Sequence, residues 1–259
     1  MSLNRKEFLK KAWDTGVVLF GSSALFEVIA ADNAVAQNRP EASKTIQWAM
    51  LVDIPKCLKA GDCTDCIKAC HKVHNVPLIA DKKREIKWIW KEYYDNAFPG
   101  DVYEYAREDL KKGEMIVLCN HCVNPPCVRV CPTYATWRRN DGIVMMDMHR
   151  CIGCRYCMAA CPYGSRSFNW SDPKKFLNEK AINPDYPTRA KGVVEKCTFC
   201  DERLGRGLLP ACVVSCKDRA LIFGNIKDPA SDVRKLLKKR FAIRRKASLG
   251  TEPQVYYLL

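Results

Sequence analysis

The sequence predicts an α+β chain in which short strands and short helices repeat around cysteine-rich loops. Three observations predict it. Of 259 residues, 16 are cysteine, far above ordinary usage for a chain of this size. The cysteines fall into four runs of four with none left over: Cys57, Cys63, Cys66, Cys70; Cys119, Cys122, Cys127, Cys131; Cys151, Cys154, Cys157, Cys161; and Cys197, Cys200, Cys212, Cys216. Brief apolar stretches of strand length flank the runs, and 47% apolar residues with 10% aromatics can bury a core. Disorder and a miniprotein held by disulfides alone are therefore excluded.

The first element is an address. Asn4-Arg5-Lys6-Glu7-Phe8-Leu9-Lys10 precedes an apolar run from Thr15 to Phe26, and Ala34-Val35-Ala36 supplies small residues at cleavage spacing. Residues 1–36 read as an export signal resembling the twin-arginine type (S/T-R-R-x-F-L-K), with Lys6 in place of the second arginine. An apolar run of about a dozen residues is too short to span a bilayer comfortably, so any membrane link is indirect or N-terminal. Glu27 and Asp32 close behind the run leave open retention as an anchor helix. An ordinary amphipathic helix is the other alternative.

Further along, Ile46 to Asp53, Met115 to Leu118, Ile143 to Asp147 and Leu221 to Ile226 read as strands, with Asn140-Asp141-Gly142 as a hairpin turn. Short helices are expected to begin near Cys66, Cys127, Cys157 and Cys212. The cysteine-free intervals 71–118 and 163–196 are expected as inserts that cover the sites or meet partners. Behind Ser231 and Asp232, Val233, Leu236, Leu237 and Phe241 recur at helical spacing, which predicts a docked surface helix with a solvated face.

The run Cys151-Ile-Gly-Cys154-Arg-Tyr-Cys157-Met-Ala-Ala-Cys161-Pro162 matches the C-x2-C-x2-C-x3-C-P pattern of bacterial ferredoxins. The run Cys119 to Pro132 differs by two residues in its middle gap. The first run has five residues in its opening gap and the fourth has eleven between Cys200 and Cys212, and both keep the final x3. Three closely spaced thiolates wrap one cubane, while the fourth points to another, so runs work in pairs. Zinc sites do not need a third cysteine two residues further on. Disulfides between such near neighbours are badly placed. The chemistry expected is four 4Fe-4S clusters, with all sixteen cysteines as iron ligands.

The formal net charge is +14. Four clusters with their thiolates contribute about −8, leaving roughly +6. Eight cations without an acid lie between Val233 and Lys246 (Arg234, Lys235, Lys238, Lys239, Arg240, Arg244, Arg245, Lys246), more than that remainder. The body is near neutral and one segment is basic. No nucleic-acid module is visible, so no nucleic-acid partner is expected.

The strings CNHCVNPPCVRVCPTYAT, DGIVMMDMHRCIGCRYCMAACPYG and PQVYYLL resemble the four-cluster iron-sulfur subunits of molybdopterin reductases and NrfD-linked complexes. The resemblance covers nearly everything after Ile46. It implies two pseudo-symmetric double-cluster ferredoxin-like lobes with inserted loops. Residues 119–162 make one lobe, and 163–226 complete the other with 46–70. The stretch 37–118 holds the first run and its insert, and 227–259 is a basic helix and tail. Carried over, Cys57, Cys63, Cys66 and Cys216 hold one cluster, and Cys70, Cys197, Cys200 and Cys212 the next. Cys119, Cys122, Cys127 and Cys161 hold another, and Cys131, Cys151, Cys154 and Cys157 the last.

The export signal with His74-Asn75-Val76-Pro77 and Ile86 to Glu92 looks most like the DsrO-type subunit of the DsrMKJOP sulfur-metabolism membrane complex. That likeness implies docking on a polytopic NrfD-like (DsrP-type) quinone-site subunit near a multihaem cytochrome c (DsrJ type), at the periplasmic face of the cytoplasmic membrane. The function implied is electron relay without a substrate site of its own. The alternative is the iron-sulfur subunit of an exported molybdopterin oxidoreductase for tetrathionate, polysulfide, a sulfoxide or a nitrogen oxide.

His71, His74, His121 and His149 sit near the runs and read as donors that trim a cluster potential or satisfy loop backbone. Trp88, Trp90, Trp137, Tyr134, Tyr156 and Tyr163 read as core packing. No nucleophile elbow, phosphate loop or dinucleotide fingerprint is present, so neither a catalytic residue nor a small-molecule substrate is expected.

Overall fold

The computed structural model describes residues 46–100, 105 and 107–259. The export or anchor segment lies outside the described residues. In chain order the elements are β1 (Trp48–Asp53), α1 (Ile54–Lys59), α2 (Asp65–His74), β2 (Ile89–Tyr93), α3 (Tyr94–Ala97), α4 (Glu108–Lys112), β3 (Glu114–Leu118), α5 (Pro126–Arg129), β4 (Thr136–Arg138), β5 (Val144–Met146), α6 (Tyr156–Ala159), β6 (Ser167–Phe168), β7 (Val194–Glu195), α7 (Asp201–Leu204), α8 (Ala211–Val214), β8 (Leu221–Asn225), α9 (Asp232–Lys239), β9 (Ala242–Ile243) and β10 (Val255–Leu258). The described residues belong to one compact unit.

β1 is the keystone because both of its faces are covered, which is why its sequence is a nearly unbroken apolar run. Met50 and Val52 face the main core with the cysteines, while Ala49 and Leu51 face α9 through Val233. It lies in a four-stranded sheet of order β8-β1-β10-β9. β8 pairs with it antiparallel (Met50 opposite Phe223), and β10 pairs parallel (Met50 opposite Val255). The tail expected after the basic helix is thus a central strand. Apolar Val-Tyr-Tyr-Leu at 255–258 returns to fill the place beside β1.

The cysteine-free stretch before β3 is more than a cover. β2 pairs antiparallel with β3 from Ile89–Leu118 to Tyr93–Glu114. Ile86, Trp88, Ile89, Trp90, Tyr94 and Phe98 enter the main core. The expected Asn140–Gly142 turn joins β4 to β5, and Gly142 takes φ +89° there.

α9 is capped by the Ser231 hydroxyl, which accepts from Arg234 N at 3.2 Å. Leu236 and Leu237 pack with Val233 on the sheet, and Arg234, Lys235, Lys238 and Lys239 are exposed. Phe241 departs from the expected pattern: the helix ends at Lys239 and the ring is 72% exposed. Arg240 turns away to the Asp53 carboxylate and the Leu259 carbonyl, and the chain continues extended into β9.

Candidate metal centres

Short helices set the thiol geometry. Cys66 and Cys70 both lie on α2, four residues apart, and so share a face. The same interval separates Cys127 from Cys131, Cys157 from Cys161 and Cys212 from Cys216. In each pair the two thiols join different quartets. α2 and α8 pack together, as do α5 and α6, so that runs far apart in sequence meet.

The first quartet is Cys57, Cys63, Cys66 and Cys216. Burial pushes the Cys66 thiol up to about 12, and charge on Cys57, Cys216 and Cys63 adds to the shift. The second comprises Cys70, Cys197, Cys200 and Cys212; Cys70 is raised well above an ordinary thiol by burial and then by the other three. The third, Cys119, Cys122, Cys127 and Cys161, lines one cavity with Val144, Tyr163 and Arg166. Burial there pushes Cys122 up to about 12. The fourth, Cys131, Cys151, Cys154 and Cys157, lines a separate cavity with Thr136 and Val194.

The quartets form a row. Repulsion from Cys66 reaches Cys70 and Cys212, which links the first to the second. Cys119 acts on Cys197, linking second to third, and Cys127 acts on Cys157, linking third to fourth.

The donor set fits iron-sulfur clusters. All sixteen cysteines are free thiols. Buried thiols gathered in fours resist ionisation unless a cation shares the site, and a coordinating metal removes the proton outright. Backbone donors await the thiolates: Phe199 N is 3.4 Å from Cys197 Sγ, Ala211 N 3.4 Å from Cys200 Sγ, and Ala220 N 3.2 Å from Cys216 Sγ. Cys131 is held below an ordinary thiol although burial opposes it, because Thr136 N, the Thr133 hydroxyl and two further backbone donors outweigh that cost. Four quartets of this chemistry match four 4Fe-4S clusters.

His74 reaches both the backbone and the thiol of Cys70. Its Nδ1 is 2.9 Å from Cys70 O and 3.6 Å from Cys70 Sγ, and its Nε2 is 3.1 Å from Glu202 Oε1. Burial works against the imidazolium, yet hydrogen bonds to Cys200 and Glu202 lift it to about 9. The ligand atoms of His74, Cys200 and Glu202 lie within 4.8 Å of one another, and this ion pair accounts for their convergence. His121 is neutral: burial, then Lys196 and Arg166, hold it well below its usual range. Its Nδ1 accepts from Val144 N at 3.1 Å, and its ring stacks on Phe199 at 3.7 Å. His71 lines an apolar groove on the outer side of α2, and burial holds it down to about 4. His149 is exposed.

Trp88, Trp90 and Tyr163 are buried, whereas Tyr134 is 75%, Tyr156 63% and Trp137 39% exposed. The last three therefore correct the core-packing expectation. Tyr134 lies on the turn after Cys131, and Tyr156 opens α6 beside Cys157; both are exposed next to fourth-quartet thiols.

Several supporting residues carry no sequence motif. The Tyr163 and Thr251 hydroxyls are 2.5 Å apart, and Thr251 also bonds Cys122. The C-terminal loop stitches down the second run: Val123 N donates to Glu252 O, Asn124 N to Thr251 O, and Gln254 N to Asn120 O. Arg166, 4% exposed, donates to Cys127 Sγ at 3.0 Å and Thr136 Oγ1 at 2.8 Å. Lys196, fully buried, donates to the carbonyls of Val144 and Cys197. A basic residue just before a ligand, as in Glu195-Lys196-Cys197, is the one faint signal.

Comparisons with known proteins agree with this chemistry. The 4Fe-4S dicluster domain family matches residues 115–176 and 182–226. The chain is 39% identical to the Hdr-like menaquinol oxidoreductase iron-sulfur subunit 1 of Archaeoglobus fulgidus, over 98% of this chain and 97% of that one. It is 37% identical to a tetrathionate reductase subunit of Salmonella typhimurium, over 100% and 89% of the two chains. It is 35% identical to the menaquinone reductase iron-sulfur cluster-binding subunit of Nitratidesulfovibrio vulgaris, over 82% and 89%. With sixteen free thiols gathered in a row of four quartets and full-length relatives of this kind, the chain belongs to the family of 4Fe-4S iron-sulfur electron-transfer subunits of oxidoreductase complexes.

Proposed function

We propose that each quartet holds one 4Fe-4S cluster and that the row relays electrons between a membrane quinone-site subunit and the redox partners of a dissimilatory sulfur-metabolism complex. Each cluster supplies a one-electron step between 2+ and 1+. The chain's part is to fix spacing, exclude water and set potentials. The observation that carries this reading is the continuity of the row, in which cysteines four residues apart tie the first quartet to the second and the third to the fourth, and Cys119 meets Cys197 between the two pairs. In this reading the first and second quartets make one lobe and the third and fourth its pseudo-symmetric counterpart.

The finer placement is a DsrO-type subunit on a DsrP-like, NrfD-related membrane partner, with a DsrJ-like multihaem cytochrome c nearby, at the periplasmic face. The twin-arginine-like string supports export with clusters already inserted. Among the described residues no helix is long and apolar enough to cross a membrane, so attachment falls to a partner or to residues 1–36. Affinity purification of the tagged chain from solubilised membranes tests this: a polytopic subunit and c-type haem absorbance are expected. A second reading, the wire subunit of a molybdopterin reductase, is favoured by the match to a tetrathionate reductase subunit along the whole chain. Co-purifying molybdopterin in place of haem would decide for it. Iron and acid-labile sulfide at about sixteen each per chain test the cluster assignment itself.

A further inference from the structure

Two cations are buried inside the row, and both border the third quartet. Arg166 lies between the third and fourth: its Nη2 is 3.0 Å from Cys127 Sγ, and it belongs to the wall of the third cavity. Its charge also reaches Cys157 of the fourth quartet. Lys196 lies between the third and second. Its ammonium bridges Val144 O, on the wall of the third cavity, and Cys197 O, 2.6 Å away, on a ligand of the second.

Neither cation forms a salt bridge among the described residues, although the charge of Lys196 reaches the Asp201 carboxylate, which is itself bridged to Arg139. The other buried or near-buried cations are spoken for: Arg189 is paired with Glu195, and His74 with Glu202. Arg245 donates to Ala97 O and lies over the Tyr163 ring. At the joint of the first and second quartets, formed by Cys66, Cys70, Cys212 and Cys216, the buried cation beside a thiol is His74, 3.6 Å from Cys70 Sγ and already paired with Glu202; the first quartet itself is reached only by the exposed Lys217 at Cys63 and by Lys91 at Cys57. Lys91 is partly exposed and shared with Gly61 O and Asp62.

We infer that Lys196 and Arg166 make the Cys119–Cys122–Cys127–Cys161 centre the first of the four to be reduced. Reduction adds one negative charge to a centre, and a fixed, water-excluded positive charge stabilises that charge far more than an exposed one does. The third centre has such a cation without a salt-bridge partner on both sides; the second has Lys196 together with His74, whose charge Glu202 offsets, the fourth has Arg166, and the first has none. An electron entering at either end of the row therefore falls toward the third centre. The two residues are positioning residues, acting on the centre through its ligands and walls. The inference rests on the cluster assignment above.

The test is an EPR-monitored redox titration of the full chain loaded with iron. In the wild-type protein the signal that appears at the highest potential is expected to be the one altered by Cys122→Ser, while Cys63→Ser and Cys154→Ser leave it in place. Lys196→Met and Arg166→Met are each expected to lower the reduction equilibrium of that signal at least tenfold, about 59 mV for a one-electron step. Lys196→Arg and Arg166→Lys, which keep the charge, are expected to restore most of it, a rescue that a purely steric role would not give. A first-reduced signal that belongs to another quartet overturns the inference, as do unchanged potentials in fully loaded Met variants. If the Met variants do not load, the wild-type assignment by Cys122→Ser still decides. Iron far below sixteen in the wild-type chain would fail the cluster assignment instead.

Discussion

Arg189 Nε lies 2.8 Å from Glu195 Oε2, with both side chains fully buried. The same carboxylate accepts from Trp88 Nε1 at 2.7 Å and Asn169 Nδ2 at 2.6 Å. The guanidinium also donates to the carbonyls of His74 and Asn75, where α2 ends one turn beyond Cys70. The pair therefore ties β7 to the helix that supplies thiols to two quartets.

Breaking that pair is expected to cost more than deleting it. Glu195→Ala leaves a buried guanidinium without its counter-charge, a loss of about 3–5 kcal/mol. The double variant Glu195→Leu with Arg189→Leu is expected to recover a good part of it. Anaerobic denaturant titration of the loaded protein gives both midpoints. A double variant no more stable than the single one would show that the bonds to Trp88 and the α2 carbonyls, rather than the unpaired charge, set the cost.

A second expectation concerns the Cys151-Ile-Gly-Cys154 loop. Gly153 takes φ +70°, and a Cβ added there would stand 2.3 Å from the Gly192 carbonyl and 3.1 Å from the Phe168 ring. Only glycine accepts both the backbone angle and the close approach. Gly153→Ala is expected to displace Cys151 and Cys154 and to lower iron to about twelve per chain, one cluster fewer. Full iron with an unchanged EPR spectrum would refute it.

Asp53 links the sheet to the helix that carries Cys57. Its carboxylate accepts from Lys56 N at the start of α1, which carries Cys57, and it receives the Arg240 guanidinium. Asp53→Ala is expected to lose about 1 kcal/mol for the cap and about 1–2 kcal/mol for the charge-assisted bonds. Iron release under chelator should quicken first at the first quartet, read as the earliest EPR signal to decay.

Much of this was legible in the sequence because local rules dominate there. Strands at Trp48–Asp53, Glu114–Leu118, Val144–Met146 and Leu221–Asn225 follow apolar runs bounded by turn residues, and helices beginning at Asp65, Pro126, Tyr156 and Ala211 follow the ligand spacing. What was hidden depends on long-range placement. β10 pairs with a strand some two hundred residues away, and nothing in Val-Tyr-Tyr-Leu names its neighbour. Arg166 and Lys196 look like surface cations until the fold closes over them. Phe241 keeps its helical spacing, but the helix stops before it because Arg240 is drawn to Asp53.

Removing the metal tests how far the fold depends on it. Cys66, Cys70, Cys119, Cys197 and Cys212 belong to the same core cluster as Met50, Val52, Phe223 and Tyr257, so ligands and sheet share one interior. The helices that carry Cys127, Cys157 and Cys212, α5, α6 and α8, and α7, which Cys200 precedes, are four residues each, far below the length at which a helix holds itself. Without iron the thiols take back their protons, because burial favours the neutral form at Cys66, Cys122 and Cys212. The loops then lose the anchor that four thiols at a time share, and metal binding energy is folding energy in such a site. Anaerobic chelation should therefore abolish amide protection in β1 and β10 as well as in the ligand loops, in one cooperative step seen by hydrogen exchange and far-ultraviolet circular dichroism. Persistent protection of the β8-β1-β10-β9 sheet after complete loss of iron would mean that α9 and its contacts with Ala49, Leu51 and Leu258 stabilise the sheet without the clusters.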